Sequence, residues 1–216
     1  MKLKVCGMKY NPEAVAKLQP DYLGFIFWEP SSRFFDKEIP SPSLGINKVG
    51  VFVDAPIKYI LESITKYDLD GVQLHGNESP AYCKALREVK QGSNDKFEQT
   101  HFDIIKVFSI KDEFDFSVLQ PFEKICDYFL FDTKGKLPGG NGYTFNWEVL
   151  KNYPSTKPYF LSGGIGLDSS KQIEEFLKKP ESKYCHAIDV NSRFEDEPGL
   201  KNIEDLKKFK KIVIDN

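Results

Sequence analysis

Reactive and polar side chains follow most of the short apolar runs in this sequence. Cys6 ends the run Leu3–Cys6, and Asp132 directly follows the run Tyr128–Phe131. A thiol and a carboxyl group can both exchange protons, so these two residues are candidates for chemistry. Taken alone, Cys6 fits a small buried apolar residue better than a reactive group. Its interpretation therefore depends on the elements that position it.

Two glycine-containing or polar turns have the composition of an anion-binding site. The segment FLSGGIG, residues 160–166, ends an apolar run in three glycines, and the segment AIDVNSRFE, residues 187–195, predicts a short helix after the next run. Glycine adopts positive φ at little cost and lets backbone N–H groups approach an anion closely. If the two segments are neighbours, they form a phosphate-binding site, and two ordinary turns are the alternative. The phosphate-binding residues would be Gly163, Gly164, Asn191 and Ser192.

Eight β-rich runs alternate with helix-like segments and must position these groups. The predicted strands are Leu3–Cys6, Tyr22–Phe27, Lys48–Val53, Gly71–Leu74, Ile104–Phe108, Tyr128–Phe131, Pro158–Leu161 and Ala187–Val190. The predicted helices are Pro12–Leu18, Pro56–Tyr67, Ser79–Val89, Asp115–Lys124, Phe145–Asn152, Ser169–Lys178 and Ile203–Lys211. The segment Ser31–Gly45 is the least helix-like connection, and Gln91–Gln99 predicts a surface loop.

This alternation predicts the α/β class, with parallel strands joined by right-handed crossovers. In a chain of 216 residues, eight such strands favour a single (β/α)8 TIM barrel with a parallel eight-stranded closed sheet. The barrel would form one domain over residues 1–216. A doubly wound open sheet is the alternative, although no GxGxxG follows the first strand and no P-loop is present. Polar groups cluster at the carboxyl ends of the predicted strands, where barrel active sites lie. A purely structural barrel has no reason for this clustering.

The composition restricts the classes of partner. The 216 residues carry a formal net charge of −2, with a pI near 6.0, so neither nucleic acid nor a membrane is an expected partner. The apolar runs are too short to span a bilayer, and the start lacks a signal peptide, so we expect a cytoplasmic protein. The four cysteines contain no CxxC spacing, which predicts reduced thiols and no metal site.

Several short motifs are specific in combination. They are KVCGM at the first strand, GFIF followed by SSRF, GVF, QLHG, FDTKGKLPGGNGYTFNW, LSGGI and DVNSRFEDEPGLK. Together they cover all eight strands in order, and they resemble the phosphoribosylanthranilate isomerase family. One departure is that the family's usual Gly-Gly-Thr-Gly appears here as GGNG at residues 139–142, after extra residues at 134–138.

The resemblance implies an Amadori rearrangement of N-(5-phosphoribosyl)anthranilate in tryptophan biosynthesis, without a cofactor. It implies that Asp132 protonates the ribose ring oxygen, which gives a protonated Schiff base. Cys6 then removes the C2 proton to form an enolamine, which tautomerises to the ketone. A free thiol titrates near about 8.5 and a free aspartate near about 3.9, so the site has to favour the thiolate and the protonated carboxyl group. The expected partner is a small phosphorylated substrate, and the chain would be a monomer or a homodimer.

Strand register places Lys4 on the same face as Cys6, one layer deeper in the barrel. A cation at that position would favour the thiolate. A buried salt bridge between Lys4 and Asp189 is equally consistent with the sequence, and the two roles are compatible.

The remaining site predictions concern polar and aromatic residues near the strand ends. Arg33 would bind the anthranilate carboxylate through its guanidinium, with a surface arginine as the alternative. His75 would line the site beside Gln73, or be a structural histidine. Asp189 would bind a substrate hydroxyl or only pair with a lysine. Trp28 and Trp147 are expected to be packing residues.

Two other functions remain open. One is another phosphate-binding barrel enzyme, such as the analogous isomerase of histidine biosynthesis. That enzyme has a carboxylate where Cys6 stands and needs two phosphate sites, whereas only one is evident here. The other is an inactive barrel that binds a phosphorylated metabolite, against which the presence of both Cys6 and Asp132 argues.

Overall fold

Eight parallel strands form a closed barrel in the computed structural model, which describes residues 1–40, 45–92, 101–111, 113–133 and 146–214. Each strand pairs with the next along the chain, and the eighth pairs with the first. The strands are β1 (Lys2–Cys6), β2 (Tyr22–Ile26), β3 (Asn47–Phe52), β4 (Gly71–Leu74), β5 (Asp103–Ile110), β6 (Tyr128–Thr133), β7 (Tyr159–Leu161) and β8 (Cys185–Val190). The predicted barrel and all eight predicted strands are confirmed.

The connections contain α-helices and shorter 3-10 helices. The α-helices are α1 (Pro12–Ala16), α2 (Ile57–Tyr67), α3 (Pro80–Gly92), α4 (Ser170–Leu177) and α5 (Ile203–Val213). The helices expected at residues 115–124 and 145–152 are 3-10 helices, at Phe116–Phe122 and Trp147–Asn152. Pro121 lies inside the first of these and lacks the N–H that an α-helix needs. Within the described ranges, no helix is long and apolar enough to cross a membrane.

Three sequence predictions fall wholly or partly outside the described residues. The described part of the segment 31–45 contains no helix, and an isolated parallel bridge joins Phe34 to Ile26 instead. The expected loop at residues 91–99 begins later than predicted, because α3 continues to Gly92. Its remaining residues, together with the departures at 134–138 and 139–142, lie outside the described ranges.

Helix α5 shows how local sequence selects an element and its buried face. The Asn202 side chain accepts a hydrogen bond from the Asp205 N–H at 3.0 Å, which satisfies one of the free amides of the first turn. Leu206, Phe209 and Val213 follow at helical spacing, and all three are buried. The helix therefore begins at a capped residue and presents one apolar stripe to the barrel.

An aromatic and aliphatic cluster fills the inside of the barrel. Phe160 is fully buried, and its ring centroid lies 5.3 Å from that of Tyr22 and 5.4 Å from those of Tyr128 and His186. The full cluster consists of Tyr22, Val49, Ile105, Val107, Leu130, Phe160 and Ala187. Side chains of alternate strand positions supply it, as the pleat of a strand requires. The interior is thus filled below the layer of Lys4, which leaves the carboxyl ends of the strands for polar groups.

Phe160→Ala should lower the free energy of unfolding by about 3–5 kcal/mol, because it leaves a cavity inside a closed barrel. Phe160→Leu should cost less, since it keeps most of the volume. Urea denaturation measures both. Val118→Ala is the control, because Val118 is 43% exposed and its truncation should change stability by about 0.5 kcal/mol or less. Equal losses at Phe160 and Val118 would contradict a filled interior.

Candidate active site

A polar cavity lies over the carboxyl ends of the strands. It measures about 700 Å³, including space that is open to solvent. All of the site residues predicted from the sequence line it: Cys6, Arg33, Gln73, His75, Asp132, Gly163, Gly164, Asp189, Asn191 and Ser192. These residues come from six different segments of the chain, so closure of the barrel brings them together.

Cys6 ends β1 at the wall of this cavity and is only 4% exposed. Gly24 pairs with Cys6 on the neighbouring strand. A Cβ atom at Gly24 would lie 2.7 Å from the Cys6 Sγ, a distance that real Cβ contacts do not show. The glycine therefore provides the space that the thiol occupies.

The fully buried Lys4 lies one layer below Cys6. Its Nζ donates hydrogen bonds to Asp189 Oδ1 at 2.9 Å and to Gln73 Oε1 at 2.8 Å. Ser162 Oγ donates to the other Asp189 oxygen at 3.2 Å. Burial alone would lower the pKa of Lys4, but the Asp189 carboxylate holds that pKa above its ordinary value. Lys4 is therefore an ammonium ion, and its predicted salt bridge with Asp189 is confirmed.

Burial raises the pKa of the Cys6 thiol above its ordinary value. Lys4 acts in the opposite direction, as the sequence predicted, and Lys201 also favours the thiolate, whereas Asp189 disfavours it. The expectation that the site favours the thiolate is therefore wrong for this structure. Desolvation of the thiol outweighs the two cations that face it.

Asp132 lies on β6 and is 6% exposed. His75 Nε2 is 3.3 Å from Asp132 Oδ2. On its other side, His75 Nδ1 is 3.2 Å from the Gln73 side-chain nitrogen. Gln73 and His75 are both expected to contact substrate. Their side chains also connect Lys4 to Asp132 through a series of polar contacts.

The turn after β7 has the backbone conformation that its glycines suggested. Gly163 and Gly164 have φ values of +96° and +65°. A side chain at Gly163 would collide with Thr133, so the position requires glycine. After β8, a 3-10 helix at Ser192–Phe194 follows Asn191, which confirms the predicted short helix. Because β7 and β8 are neighbours, the two turns are adjacent at the rim of the cavity.

Arg33 is held by a carboxylate that the sequence analysis did not assign. Its Nε donates to both Glu195 oxygens at 2.9 Å, and its Nη2 donates to Oε2 at 2.6 Å. The Arg33 side chain is 16% exposed and that of Glu195 is 3% exposed. Neither a free surface arginine nor an unpartnered guanidinium describes this geometry.

Lys201 was also missed, and it connects Glu195 with the turn after β8. Its Nζ lies 2.6 Å from Glu195 Oε1 and 2.8 Å from Asn191 Oδ1. Burial lowers the pKa of Lys201 to about 8, although the Glu195 carboxylate opposes that shift. Glu195 and Lys201 lie on a two-stranded ribbon of β9 (Glu195–Glu197) and β10 (Leu200–Lys201). The motif DVNSRFEDEPGLK contains both residues, but sequence does not show their partners.

A second missed ion pair supports the segment that carries His75. Lys106 Nζ lies 2.9 Å from Glu78 Oε2 and donates to the backbone oxygens of Gly76 at 2.8 Å and Leu74 at 3.2 Å. Lys106 and Glu78 are both buried. They fix the chain immediately before and after His75.

One tryptophan prediction holds and the other is wrong. Trp147 is 3% exposed and packs against Phe176, with ring centroids 5.6 Å apart. Trp28 instead lines the cavity, beside Ile26 and Val51. The cavity therefore has an apolar side as well as a polar floor.

A closed parallel barrel with such a pocket over its strand ends defines the class of (β/α)8-barrel proteins. Residues 3–212 match the family model described as N-(5'phosphoribosyl)anthranilate (PRA) isomerase. The chain belongs to this family.

Similar proteins cover almost the whole chain. An N-(5'-phosphoribosyl)anthranilate isomerase from Parabacteroides distasonis is 41% identical over 97% of this chain and 91% of its own length. One from Phocaeicola vulgatus is 36% identical over 94% of this chain and 92% of its own. The crystal structure of the Thermotoga maritima phosphoribosyl anthranilate isomerase covers all of both chains, with a TM-score of 0.78 at 24% identity. It supports the fold.

Alkylation of Cys6 by iodoacetamide should be half-maximal at a pH above about 8.5, because the thiolate is the reactive form and burial disfavours it. Lys4→Gln should raise that pH further, since it removes a cation that favours the thiolate and leaves in place the Asp189 carboxylate that opposes it. Mass spectrometry of the Cys6 peptide measures both, with Cys6→Ser as the blank and circular dichroism as the folding control. An unchanged or lower midpoint in Lys4→Gln would contradict this electrostatic arrangement.

Proposed function

We propose that this chain isomerises N-(5'-phosphoribosyl)anthranilate by an Amadori rearrangement, with Cys6 as general base and Asp132 as general acid. Family membership makes the chain an isomerase of tryptophan biosynthesis with a small-molecule substrate. The observation that carries the assignment of roles is that the thiol of β1 and the carboxyl group of β6 line the same cavity.

The barrel presents the two groups to a substrate from different directions. Two strands, β7 and β8, lie between β6 and β1. In the proposed first step, Asp132 gives its proton to the ribose ring oxygen, the ring C–O bond breaks, and the anilino nitrogen forms a protonated Schiff base. In the second step, the Cys6 thiolate takes the proton from C2, the C–H electrons form the double bond of the enolamine, and the electrons of the C=N bond return to nitrogen. Tautomerisation of the enolamine gives the ketone.

The protonated Schiff base explains how a buried thiol can serve as the base. Burial raises the pKa of Cys6, so the protein alone keeps the thiol protonated at neutral pH. A cation formed next to Sγ adds to the effect of Lys4 and favours the thiolate. The thiol therefore releases its proton to solvent, which reaches the cavity, and the thiolate that acts as the base forms at the stage of the reaction that needs it.

The phosphate group is assigned to the backbone amides at Gly163, Gly164, Asn191 and Ser192. Support comes from the positive φ values of both glycines and from the adjacency of the two turns. Lys201 is fully buried and contacts Asn191, so it stabilises the turn from below.

The anthranilate carboxylate is assigned to Arg33. Its contacts with Glu195 use the edge of the guanidinium formed by Nε and Nη2. The second edge, formed by Nη1 and Nη2, matches a carboxylate in the same bidentate geometry. The nearby Trp28 and Ile26 offer an apolar surface for the aromatic ring. Asp189, with Gln73 beside it on the floor of the cavity, can accept a hydrogen bond from a substrate hydroxyl.

Cys6→Ser and Asp132→Asn should each lower kcat by roughly two to four decades, the range for one positioned proton-transfer group. Both changes nearly preserve shape, so the free energy of unfolding should change little. The measurement is the loss of phosphoribosylanthranilate fluorescence in a coupled assay, with urea denaturation as the stability control. Near-normal turnover in Cys6→Ser would make Cys6 a packing residue, and no turnover in the unmodified chain would favour an inactive binding protein.

Arg33→Ala should raise KM for the substrate more than it raises the inhibition constant of inorganic phosphate, because Arg33 is assigned to the carboxylate. Arg33→Lys should bind substrate better than Arg33→Ala but worse than the unmodified chain. Lysine keeps the positive charge but lacks the planar pair of N–H donors that binds a carboxylate bidentately. Arg87→Ala is the matched control, because Arg87 pairs with Asp127 outside the cavity. An equal loss of affinity for substrate and for inorganic phosphate in Arg33→Ala would contradict the assignment of Arg33 to the anthranilate carboxylate.

A further inference from the structure

The buried ammonium of Lys4 determines how the Gln73 amide is oriented. An ammonium group has three donors and no acceptor. Because Lys4 Nζ lies 2.8 Å from the Gln73 side chain, the atom that faces it has to be the amide oxygen. Lys4 stays charged through its contact with Asp189, and Gln73 is only 1% exposed. The amide NH₂ of Gln73 must therefore point away from Lys4.

This orientation determines the tautomer of His75. The Gln73 NH₂ nitrogen lies 3.2 Å from His75 Nδ1, and an amide NH₂ can only donate. Nδ1 therefore accepts and carries no proton, so the neutral ring has its proton on Nε2. The His75 backbone N–H donates to the Phe52 oxygen at 2.8 Å, which holds the backbone that carries the imidazole ring in place.

The protonated Nε2 faces the proposed general acid. It lies 3.3 Å from Asp132 Oδ2, slightly beyond the usual N–H···O range of about 2.7–3.2 Å. Catalytic hydrogen bonds are often this long in the absence of substrate and shorten in the complex. We infer that His75 is a positioning residue: Lys4, acting through Gln73, holds it in the Nε2–H form, and it donates to Asp132 Oδ2.

Such a hydrogen bond gives the two Asp132 oxygens different roles. Oδ2 accepts from His75, and Oδ1 carries the proton that passes to the ring oxygen. Once the proton has left, the carboxylate gains a charge-assisted hydrogen bond, which is stronger than the neutral one before it. His75 therefore acts on turnover through Asp132, and this step rests on the proposed function.

The resulting chain of contacts crosses the whole site. It runs from Asp189 on β8 to Lys4 on β1, then to Gln73 on β4, His75 just after β4, and Asp132 on β6. Lys4 also favours the Cys6 thiolate. One buried cation thus orients the acid's partner and stabilises the charged form of the base.

The tautomer can be measured without turnover. The chain has three histidines, so long-range ¹H–¹⁵N spectra of histidine-labelled protein resolve them, with His75→Gln as the assignment control. We expect an unprotonated Nδ1 and a protonated Nε2 in His75. In Gln73→Glu, a carboxylate faces the ring, and Nδ1 should become protonated. A wild-type ring with a proton on Nδ1 would overturn the inference, whatever the role of Asp132.

Two amide substitutions test the effect on turnover. The NH₂ of His75→Gln can reach the position of Nε2, whereas that of His75→Asn reaches only the position of Nδ1. His75→Asn should lower kcat about ten- to a hundredfold more than His75→Gln, the range for one hydrogen bond to a charged group. KM should change less than about threefold in both. Equal kcat losses would overturn the positioning role. If Asp132→Asn left kcat unchanged, the proposed role of Asp132 as general acid would be refuted, whereas the tautomer result would still hold.

Discussion

The buried charge of Lys4 is the interaction on which the polar half of this barrel depends. An ammonium ion without solvent contact is stable only if charge and hydrogen bonds surround it. Asp189 supplies the charge from the neighbouring strand β8, and Gln73 supplies an oxygen from β4, which does not pair with β1. These contacts orient the floor of the cavity and the side chains above it.

Reactivity and burial oppose each other at Cys6. Below the polar layer, the aromatic interior excludes water, and at Cys6 the same exclusion raises the pKa of the thiol. A permanently ionised thiolate in a buried position would require permanent compensation by cations. Lys4 and Lys201 provide part of it, and the cationic intermediate is proposed to provide the rest. In this proposal, proton abstraction is restricted to the occupied site, and the thiol of the empty site is protected from other reactions.

Ion pairs behind the cavity wall connect the parts of the substrate site. Glu195 holds Arg33, Lys201 joins Glu195 to the turn at Asn191, and a ribbon after β8 carries both. Breaking one member leaves a buried partner uncompensated, which is strongly destabilising. The two proposed anion sites are thus connected by one set of hydrogen bonds.

The sequence by itself determined the eight strands, their closure into a barrel and ten of the residues that line the cavity. The reason is local: β-rich runs mark strands, and the carboxyl ends of parallel strands meet at one rim. It did not determine the 3-10 helices, the exposure of Trp28 to the cavity or the partners of Arg33 and Lys201. Nor did it determine the direction of the pKa shift at Cys6. Those features depend on desolvation and on hydrogen bonds between residues as far apart in sequence as Lys4 and Asp189. Only the closed barrel determines which polar groups are buried and which residues bond to them in place of water. Burial and hydrogen bonding both depend on distances in space, which the order of residues along the chain does not show.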